Sequence, residues 1–197
     1  MKYVVGIDLG STTTKAVVLG EQGEILGRGI TNSRSNYDLA CKVALTEALI
    51  HTRFCLIEGE LAREGVAHEQ SGGWLRDLER SFRREQYRTQ LVILERVVGR
   101  FVTAAAAPLS DAIGEILGAM ASESGELFAE GASRRSDFFR DLAGSRFTLH
   151  AERISRTRGV RFESIVALFD KAILEVENTP WEDAAFETQM ASAMREA

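Results

Sequence analysis

The sequence has few prolines and cysteines and no long apolar segment. Only two prolines and two cysteines occur in 197 residues. Two cysteines do not make a disulfide framework, so the cytoplasm is the expected compartment. No apolar run approaches the roughly 20 residues that span a bilayer, and the first residues turn acidic too early for a signal peptide. The formal net charge of -5 gives no general attraction for nucleic acid or an anionic membrane, so neither is expected as a partner.

The cysteines and histidines lack the spacing of a metal site. Cys41 and Cys55 are fourteen residues apart, which on one helix places them on nearly the same face but about 21 Å apart. That distance excludes a disulfide between them and a two-ligand metal clip. We interpret both as small hydrophobic side chains, and we assign no chemistry to the three histidines.

The first thirty or so residues have the pattern of β-strands. Short apolar stretches at 3–7 and 16–19 flank a polar segment, and 24–30 can return as a third strand after a second turn. This order predicts a β-meander of two antiparallel hairpins. The second stretch is apolar on both faces, which is typical of a central strand in a covered sheet. An open edge and an apolar face should remain, so we expect self-association or packing of helices onto the strands.

From about Asn36 onward, apolar residues recur at helical spacing, and Asn36 is a candidate N-cap. The glycines at 59, 65 and 72–73 are expected to interrupt the helical pattern, and Pro108 is expected to end the helix that follows them. The predicted helices cover 36–58, 74–103, 110–128, 136–149 and 162–176, with a short helix or a frayed tail at the C-terminus. The predicted fold class is therefore α+β and mostly helical, with a β-meander over 1–35 and a helical subdomain over 36–197.

The polar segment 8–15, DLGSTTTK, has more polar groups than a tight turn requires. Gly10 has no Cβ, so the backbone there can turn sharply and approach a ligand closely. Lys15 adds a positive charge. Phosphate oxygens are bound by backbone N–H groups, hydroxyls and cations, which predicts a phosphate-binding loop. The hydroxyl donors would come from Ser11, Thr12, Thr13 and Thr14.

Asp8 has the wrong charge for a direct contact with phosphate. Its carboxylate is explained if a Mg²⁺ ion lies between the two groups, held largely through water. A metal nucleotide is the ligand that needs all of these groups together. The pattern is not a Walker A loop, because Gly6 and Gly10 are only four residues apart and Lys15 lies well past them. An ordinary threonine-rich hairpin is the alternative.

At these residues the sequence resembles a known superfamily. The segment 6–15, GIDLGSTTTK, is similar to the phosphate-1 loop of actin, sugar kinase and Hsp70 ATPases, which share a ribonuclease H-like domain. The run 3–38 most resembles the ATPase subunits of ATP-dependent benzoyl-CoA reductases, and its stretch 32–37 favours that branch. Activators of 2-hydroxyacyl-CoA dehydratases are close relatives. The helical remainder, with 136–146 and 168–178, resembles the insertion that such subunits carry.

The resemblance implies an ATP-binding activator subunit, which couples ATP hydrolysis to low-potential electron transfer to a benzoyl-CoA reductase partner. By position, Asp8 would organise Mg²⁺ for ATP or ADP, and the backbone from Gly10 through Ser11 and Thr12 to Thr13 would cradle the phosphates. Lys15 would add a positive contact. The implied partners are the other ATPase subunit and the reductase subunits, in a homo- or hetero-oligomer.

Several family features have no counterpart in this sequence. A second phosphate loop, the glycine pair near the adenosine and the cysteine turn that binds the cluster do not occur. We therefore interpret the chain as an N-terminal part of such a subunit, either a fragment or a separate gene product, and expect no ATPase activity from it alone. A [4Fe–4S] cluster is expected only in the complete assembly. Three alternatives stay open: a dehydratase activator, a small-molecule kinase of the superfamily, and a non-catalytic helical interaction module.

Overall fold

The structure is a computed structural model that describes residues 2–33, 36–102, 107–132, 138–177 and 183–196. In these residues three strands come first, and seven helices follow. The predicted fold class, mostly helical with an N-terminal antiparallel sheet, is confirmed. The elements are β1 (Val4–Leu9), β2 (Thr13–Leu19), β3 (Ile25–Asn32), α1 (Tyr37–Arg63), α2 (His68–Phe101), α3 (Ala107–Ser122), α4 (Ser124–Leu127), α5 (Phe139–Arg158), α6 (Phe162–Glu177) and α7 (Asp183–Glu196).

The three strands form an antiparallel sheet in the order β1-β2-β3, so β2 is the central strand, as predicted. The strands are longer than the apolar stretches that predict them. Asp8 and Lys15 belong to β1 and β2 and pair with each other, and only residues 10–12 lie between these two strands. The expected eight-residue loop is therefore wrong in extent, because threonine is well suited to a strand and the hairpin pairs almost to its tip.

Helix α1 covers one face of the sheet by close backbone contact. A Cβ built on Gly29 would lie 2.0 Å from the carbonyl oxygen of Ala44, and one built on Gly27 would lie 2.1 Å from that of Ala48. These alanines form a small core with Ala16 and Val18 of β2. The expected packing of a helix onto the strands is confirmed, and it depends on residues without side chains in β3.

A β-bulge lies at the start of β3. Gly27 pairs with Val18, but the next pair joins Ile25 to Leu19, so Leu26 is the extra residue. Leu26 is buried, and its side chain joins the small core between the sheet and α1. Successive residues of a strand normally point to opposite faces of the sheet, so burial alternates along it. The bulge therefore lets two successive residues of β3, Leu26 and Gly27, both be buried.

The beginning of α1 agrees with its predicted cap. Asn36 Oδ1 accepts a hydrogen bond of 3.1 Å from the backbone N–H of Leu39, which is the expected N-cap interaction. The predicted boundary between the β-meander and the helical subdomain lies at residue 35, outside the described residues, and it stays a prediction.

The start of α2 differs from the expectation. The helix begins at His68 and continues through Gly72 and Gly73, which do not interrupt it. The turn before it uses Gly65, whose positive φ of 83° suits glycine. A glycine inside a helix costs only about 1 kcal/mol relative to alanine, which a 34-residue helix tolerates.

Pro108 does not precede the third helix but lies in its first turn, since α3 begins at Ala107. Proline is tolerated there, because the first N–H groups of a helix have no partner within it. The predicted helix ending near Phe128 is divided into α3 and the short α4. The proposed cap at Ser136 and the stop at 178–180 lie outside the described residues.

The chain divides into two compact units, Met1–Glu79 with Pro180–Ala197, and Arg80–Thr179. In the first unit, the guanidinium of Arg53 on α1 lies 4.2 Å from the ring centre of Phe186 on α7. The second unit has a core of large apolar side chains, in which the rings of Phe147 and Phe169 stack at 4.1 Å. Across the described ranges, no helix is long and apolar enough to cross a membrane.

Candidate functional site

The β1–β2 hairpin closes at Gly10 and Thr13. The backbone N–H of Gly10 donates a hydrogen bond of 3.1 Å to the carbonyl oxygen of Thr13. Between them, Ser11 and Thr12 form the exposed tip. Their backbone N–H groups have no backbone acceptor among the residues that the structure describes. The tip therefore presents two N–H donors and two hydroxyls to solvent.

Gly10 is required because the backbone of Thr13 approaches it too closely for a side chain. A Cβ built on it would lie 2.6 Å from the carbonyl oxygen of Thr13, closer than real Cβ contacts allow. Any side chain would push the tip open and break the hydrogen bond that closes it. The glycine predicted from the sequence therefore has a steric role in shaping the tip.

Ser33, just after β3, holds the hairpin tip by two hydrogen bonds to its backbone. Its backbone N–H donates to the carbonyl oxygen of Thr12 at 2.9 Å, and its hydroxyl donates to that of Gly10 at 2.5 Å. Because Ser33 then has no proton left to donate, the hydroxyl of Thr14 must donate to Ser33 Oγ across 2.8 Å. Thr14 and Ser33 are both buried, at 0% and 1% exposure. Thr14 is therefore part of this brace, and the expectation that its hydroxyl is offered to a ligand is wrong.

Asp8 and Lys15 lie side by side on the face of the sheet opposite α1. They pair directly across β1 and β2. Since the Gly10–Thr13 pair is hydrogen-bonded, alternation makes Asp8–Lys15 a hydrogen-bonded pair too, with Cα atoms about 5.5 Å apart. Both side chains are exposed, and within the described part of the chain neither makes an ion pair. A carboxylate and an ammonium are thus available together beside the hairpin tip.

Thr13 shares this face and is half-buried. It pairs with Asn32, the last residue of β3, so the register places Asn32 next to Thr13 and diagonally across from Lys15, with β2 between Asn32 and Asp8. Asn32 and Ser33 are the two residues of this site that sequence reasoning missed. The only signal was the polar end of the third strand, and without the register it could not be connected with the first hairpin.

The exposed groups fit a magnesium nucleotide. The Gly10 turn provides a cradle that any Cβ would fill, and the tip N–H groups and Lys15 suit phosphate oxygens. Asp8 is a single carboxylate, and among the described residues no group of three or more His, Cys, Asp or Glu could hold a metal ion. One carboxylate suits Mg²⁺, which keeps most of its water.

The cysteines do not fit an iron–sulfur cluster in this chain. Cys41 and Cys55 are free, half-buried thiols, both on α1. A cluster is commonly held by four thiolates, and these two are about 21 Å apart along one helix. These two thiols are therefore too far apart to be ligands of the same cluster.

Comparison with protein families gives one finding. Residues 5–178 match the model of the BadF/BadG/BcrA/BcrD ATPase family. Comparison with curated proteins and with solved structures gave no match. The family match begins in β1 and includes the whole hairpin with its tip, and nucleotide binding is what such membership implies. Because the match covers most of the sequence, the chain belongs to the BadF/BadG/BcrA/BcrD ATPase family.

Proposed function

We propose that this chain carries the phosphate-1 loop of an ATP-binding activator subunit, which couples ATP hydrolysis to low-potential electron transfer to a benzoyl-CoA reductase. Family membership supports the ATPase part of this proposal. The resemblance of 3–38 to the reductase ATPase subunits supports the electron-transfer part. The observation that carries it is the pairing of Asp8 with Lys15 beside the exposed tip.

Each residue would have a separate task at the nucleotide. The backbone N–H groups of Ser11 and Thr12 would donate to phosphate oxygens, and Lys15 would balance their negative charge. Asp8 would hold water molecules of the Mg²⁺ shell, and the ion would offset the negative charge of the phosphates. Thr13 lies on the same face and can add a hydroxyl. Bound ATP supplies the free energy of phosphoanhydride hydrolysis.

The proposed partners are the second ATPase subunit and the reductase subunits. Strand β1 is an edge strand of the described sheet, and it exposes Tyr3, Val4, Ile7 and Leu9 beside or within it. Exposed apolar residues on an open edge are typical of a surface that another chain covers. Light scattering would test the homo-oligomeric form of this proposal, and a monomer at every concentration would contradict that form.

Calorimetric titration with MgADP and MgATP tests the nucleotide site. We expect Asp8→Asn to lower the affinity at least tenfold in the presence of Mg²⁺ and little in its absence, because only the metal contact is removed. Asp38→Asn is the matched control, since Asp38 is exposed and pairs with Lys42 at 2.6 Å on α1. Equal affinities of Asp8→Asn and the unmodified chain would contradict the role of Asp8.

A further inference from the structure

A cleft of about 570 Å³ lies within the first compact unit, between the start of β3, helix α1 and the first turns of α2. This volume is in the range of about 300–1,000 Å³ that small-molecule sites occupy. Neither the hairpin tip nor Asp8 or Lys15 lines the cleft. It therefore has no role in the nucleotide chemistry proposed above.

The cleft and the hairpin tip lie at opposite ends of β3. Leu26 and Arg28 line the cleft, whereas Asn32 pairs with Thr13 beside the tip. At about 3.4 Å per residue, the four residues from Arg28 to Asn32 span about 14 Å. A ligand of the cleft would not occupy the phosphate site.

The floor of the cleft is apolar. It is formed by Leu26 of β3, Phe54 of α1 and Leu75 of α2, each only 9% exposed. Covering such a floor with an apolar ligand contributes about 25 cal/mol per Å² of apolar surface removed from water. The floor thus favours a ligand with a hydrocarbon body.

The acidic residues of the cleft already have partners. His68 Nδ1 lies 3.0 Å from Glu58 Oε1, and His51 Nε2 lies 3.8 Å from Glu79 Oε1. Each pair joins α1 to α2 across the cleft. Glu58 is therefore within hydrogen-bond distance of the His68 imidazole, whereas Glu79 only lies near that of His51.

Arg28 and Arg76 also line the cleft, and neither makes an ion pair within the described ranges. A Cβ built on Gly72 would lie 3.5 Å from Arg76 Nη1 and 3.9 Å from His68 Nε2. The guanidinium and the imidazole edge therefore both lie beside a residue that has no side chain. This arrangement leaves room for an acceptor group beside the guanidinium of Arg76. Because His68 Nδ1 donates to Glu58, Nε2 of a neutral His68 imidazole is an acceptor and adds no second donor.

We propose that this cleft binds an apolar monocarboxylate, with its carboxylate at Arg76 and its hydrocarbon body on the floor. A guanidinium binds a carboxylate through two parallel hydrogen bonds. A dianion is disfavoured because Glu58 and Glu79 are also present, so the two arginines only balance the charge of the cleft. An added peptide strand is disfavoured because the bulge at Leu26 makes this end of the β3 edge irregular.

Calorimetric titration of the full chain with octanoate tests the proposal. We expect saturable 1:1 binding, with octan-1-ol and acetate each at least tenfold weaker, since one lacks the charge and the other the hydrocarbon body. Arg76→Gln should weaken octanoate binding at least tenfold and Arg28→Gln about threefold. Arg63→Gln is the matched control, because Arg63 is exposed on α1, pairs with Glu60 and does not line the cleft. Binding that is unchanged in Arg76→Gln, or absent, would overturn the proposal.

The two cysteines locate the ligand independently. Cys55 lines the cleft and Cys41 does not, although both are free and half-buried on α1. Saturating octanoate should slow alkylation of Cys55 by iodoacetamide at least fivefold and leave Cys41 unchanged, as measured by peptide mass spectrometry. Equal protection of both thiols, or of neither, would place the ligand elsewhere and overturn the proposal. Because no nucleotide is present, failure here is distinct from failure of the phosphate site.

Discussion

In the unit that contains the sheet, α1 lies against β3 where both elements carry their smallest residues, whereas the unit of Arg80–Thr179 is filled by large apolar side chains. In the first, Gly27 and Gly29 face Ala44 and Ala48 at backbone contact distance. In the second, buried leucine, isoleucine and phenylalanine side chains fill the space between helices. The contact between α1 and β3 therefore depends on residues with small side chains or none, whereas the core of the second unit depends on large side chains.

This difference predicts opposite sensitivities to mutation. A packed interior of large side chains is damaged mainly by removing atoms, because a cavity remains. A backbone-to-backbone contact is damaged mainly by adding atoms, because neither element can give way. The sheet unit also carries the candidate phosphate site, so added atoms there should disturb the position of the hairpin as well as stability.

Phe147→Ala should have the largest effect on stability. Phe147 is 1% exposed and stacks on Phe169 at 4.1 Å, so its removal leaves a cavity in the second unit. We expect a loss of about 3–5 kcal/mol in the free energy of unfolding, measured by chemical denaturation. Leu149→Ala on the same helix is the control, since Leu149 is 59% exposed and should cost less than about 0.5 kcal/mol.

Gly29→Ala tests the sheet unit in the opposite direction. Its new Cβ would lie 2.0 Å from the carbonyl oxygen of Ala44, so α1 must move away from β3. We expect a loss of about 3 kcal/mol, at the upper end of overpacking costs. Hydrogen exchange should quicken in α1 and the strands more than in α5 and α6.

Gly59→Ala is the matched control for this substitution. Gly59 lies in α1 with no atom within 4 Å of an added Cβ, so alanine should stabilise the helix by up to about 1 kcal/mol. If Gly29→Ala were as harmless as Gly59→Ala, the contrast between the two interiors would be lost.

The sequence predicted the strand order and the cap at Asn36 because both depend on neighbouring residues. Alternating apolar runs with short turns indicate a meander, and a polar side chain before an apolar helical pattern indicates a cap. The start of α2 could not be found in this way. Gly72 and Gly73 look like a break, but the turn at Gly65 and the packing of Leu75 and Leu78 decide where the helix begins.

The residue types of the candidate site could be predicted from the sequence, but not which of its side chains are buried and which face a ligand. A row of hydroxyls beside Gly10 indicates a phosphate loop, yet nothing in the row says which hydroxyl faces inward. That depends on the strand register, which buries Thr14 and leaves Thr13 and Lys15 on the opposite face. The partner of Thr14 is Ser33, nineteen residues away, and only the folded sheet brings them together.

Ser33→Ala should have an intermediate effect on stability and should also weaken nucleotide binding. The substitution removes the hydrogen bond to Gly10 and leaves the buried hydroxyl of Thr14 without its acceptor. We expect a loss of about 1–3 kcal/mol, together with weaker MgADP binding because the tip is no longer held. The double variant Thr14→Val with Ser33→Ala should recover part of the stability but not the affinity.

Ser11→Ala separates the two effects of the brace. Ser11 is exposed at the hairpin tip, so its loss should leave the unfolding free energy within about 0.5 kcal/mol. A drop in stability as large as that of Ser33→Ala would mean that the tip, and not the brace, stabilises the hairpin.

Tyr87→Phe should have the smallest effect at neutral pH and a distinct one in alkali. The Tyr87 hydroxyl is buried without a hydrogen-bond partner among the described residues, and its ring lies 5.6 Å from that of Phe128. Burial raises the pKa of Tyr87 from 10.0 to about 12, with Arg146 lowering it and Glu123 raising it. At neutral pH, phenylalanine keeps the ring contacts, so the change should be less than about 1 kcal/mol in either direction.

The pH dependence has a definite sign. Because the pKa is higher in the folded than in the unfolded chain, Tyr87 contributes stability that is complete below pH 10 and is lost as the pH rises from about 10 to about 12. The unmodified chain should therefore lose more stability than Tyr87→Phe across this window, measured by denaturation at each pH. Tyr37→Phe, at a half-exposed ring on α1, should follow the unmodified chain. Parallel curves for Tyr87→Phe and the unmodified chain would show that this hydroxyl is hydrated, and that the second unit is less tightly filled than its core of large side chains implies.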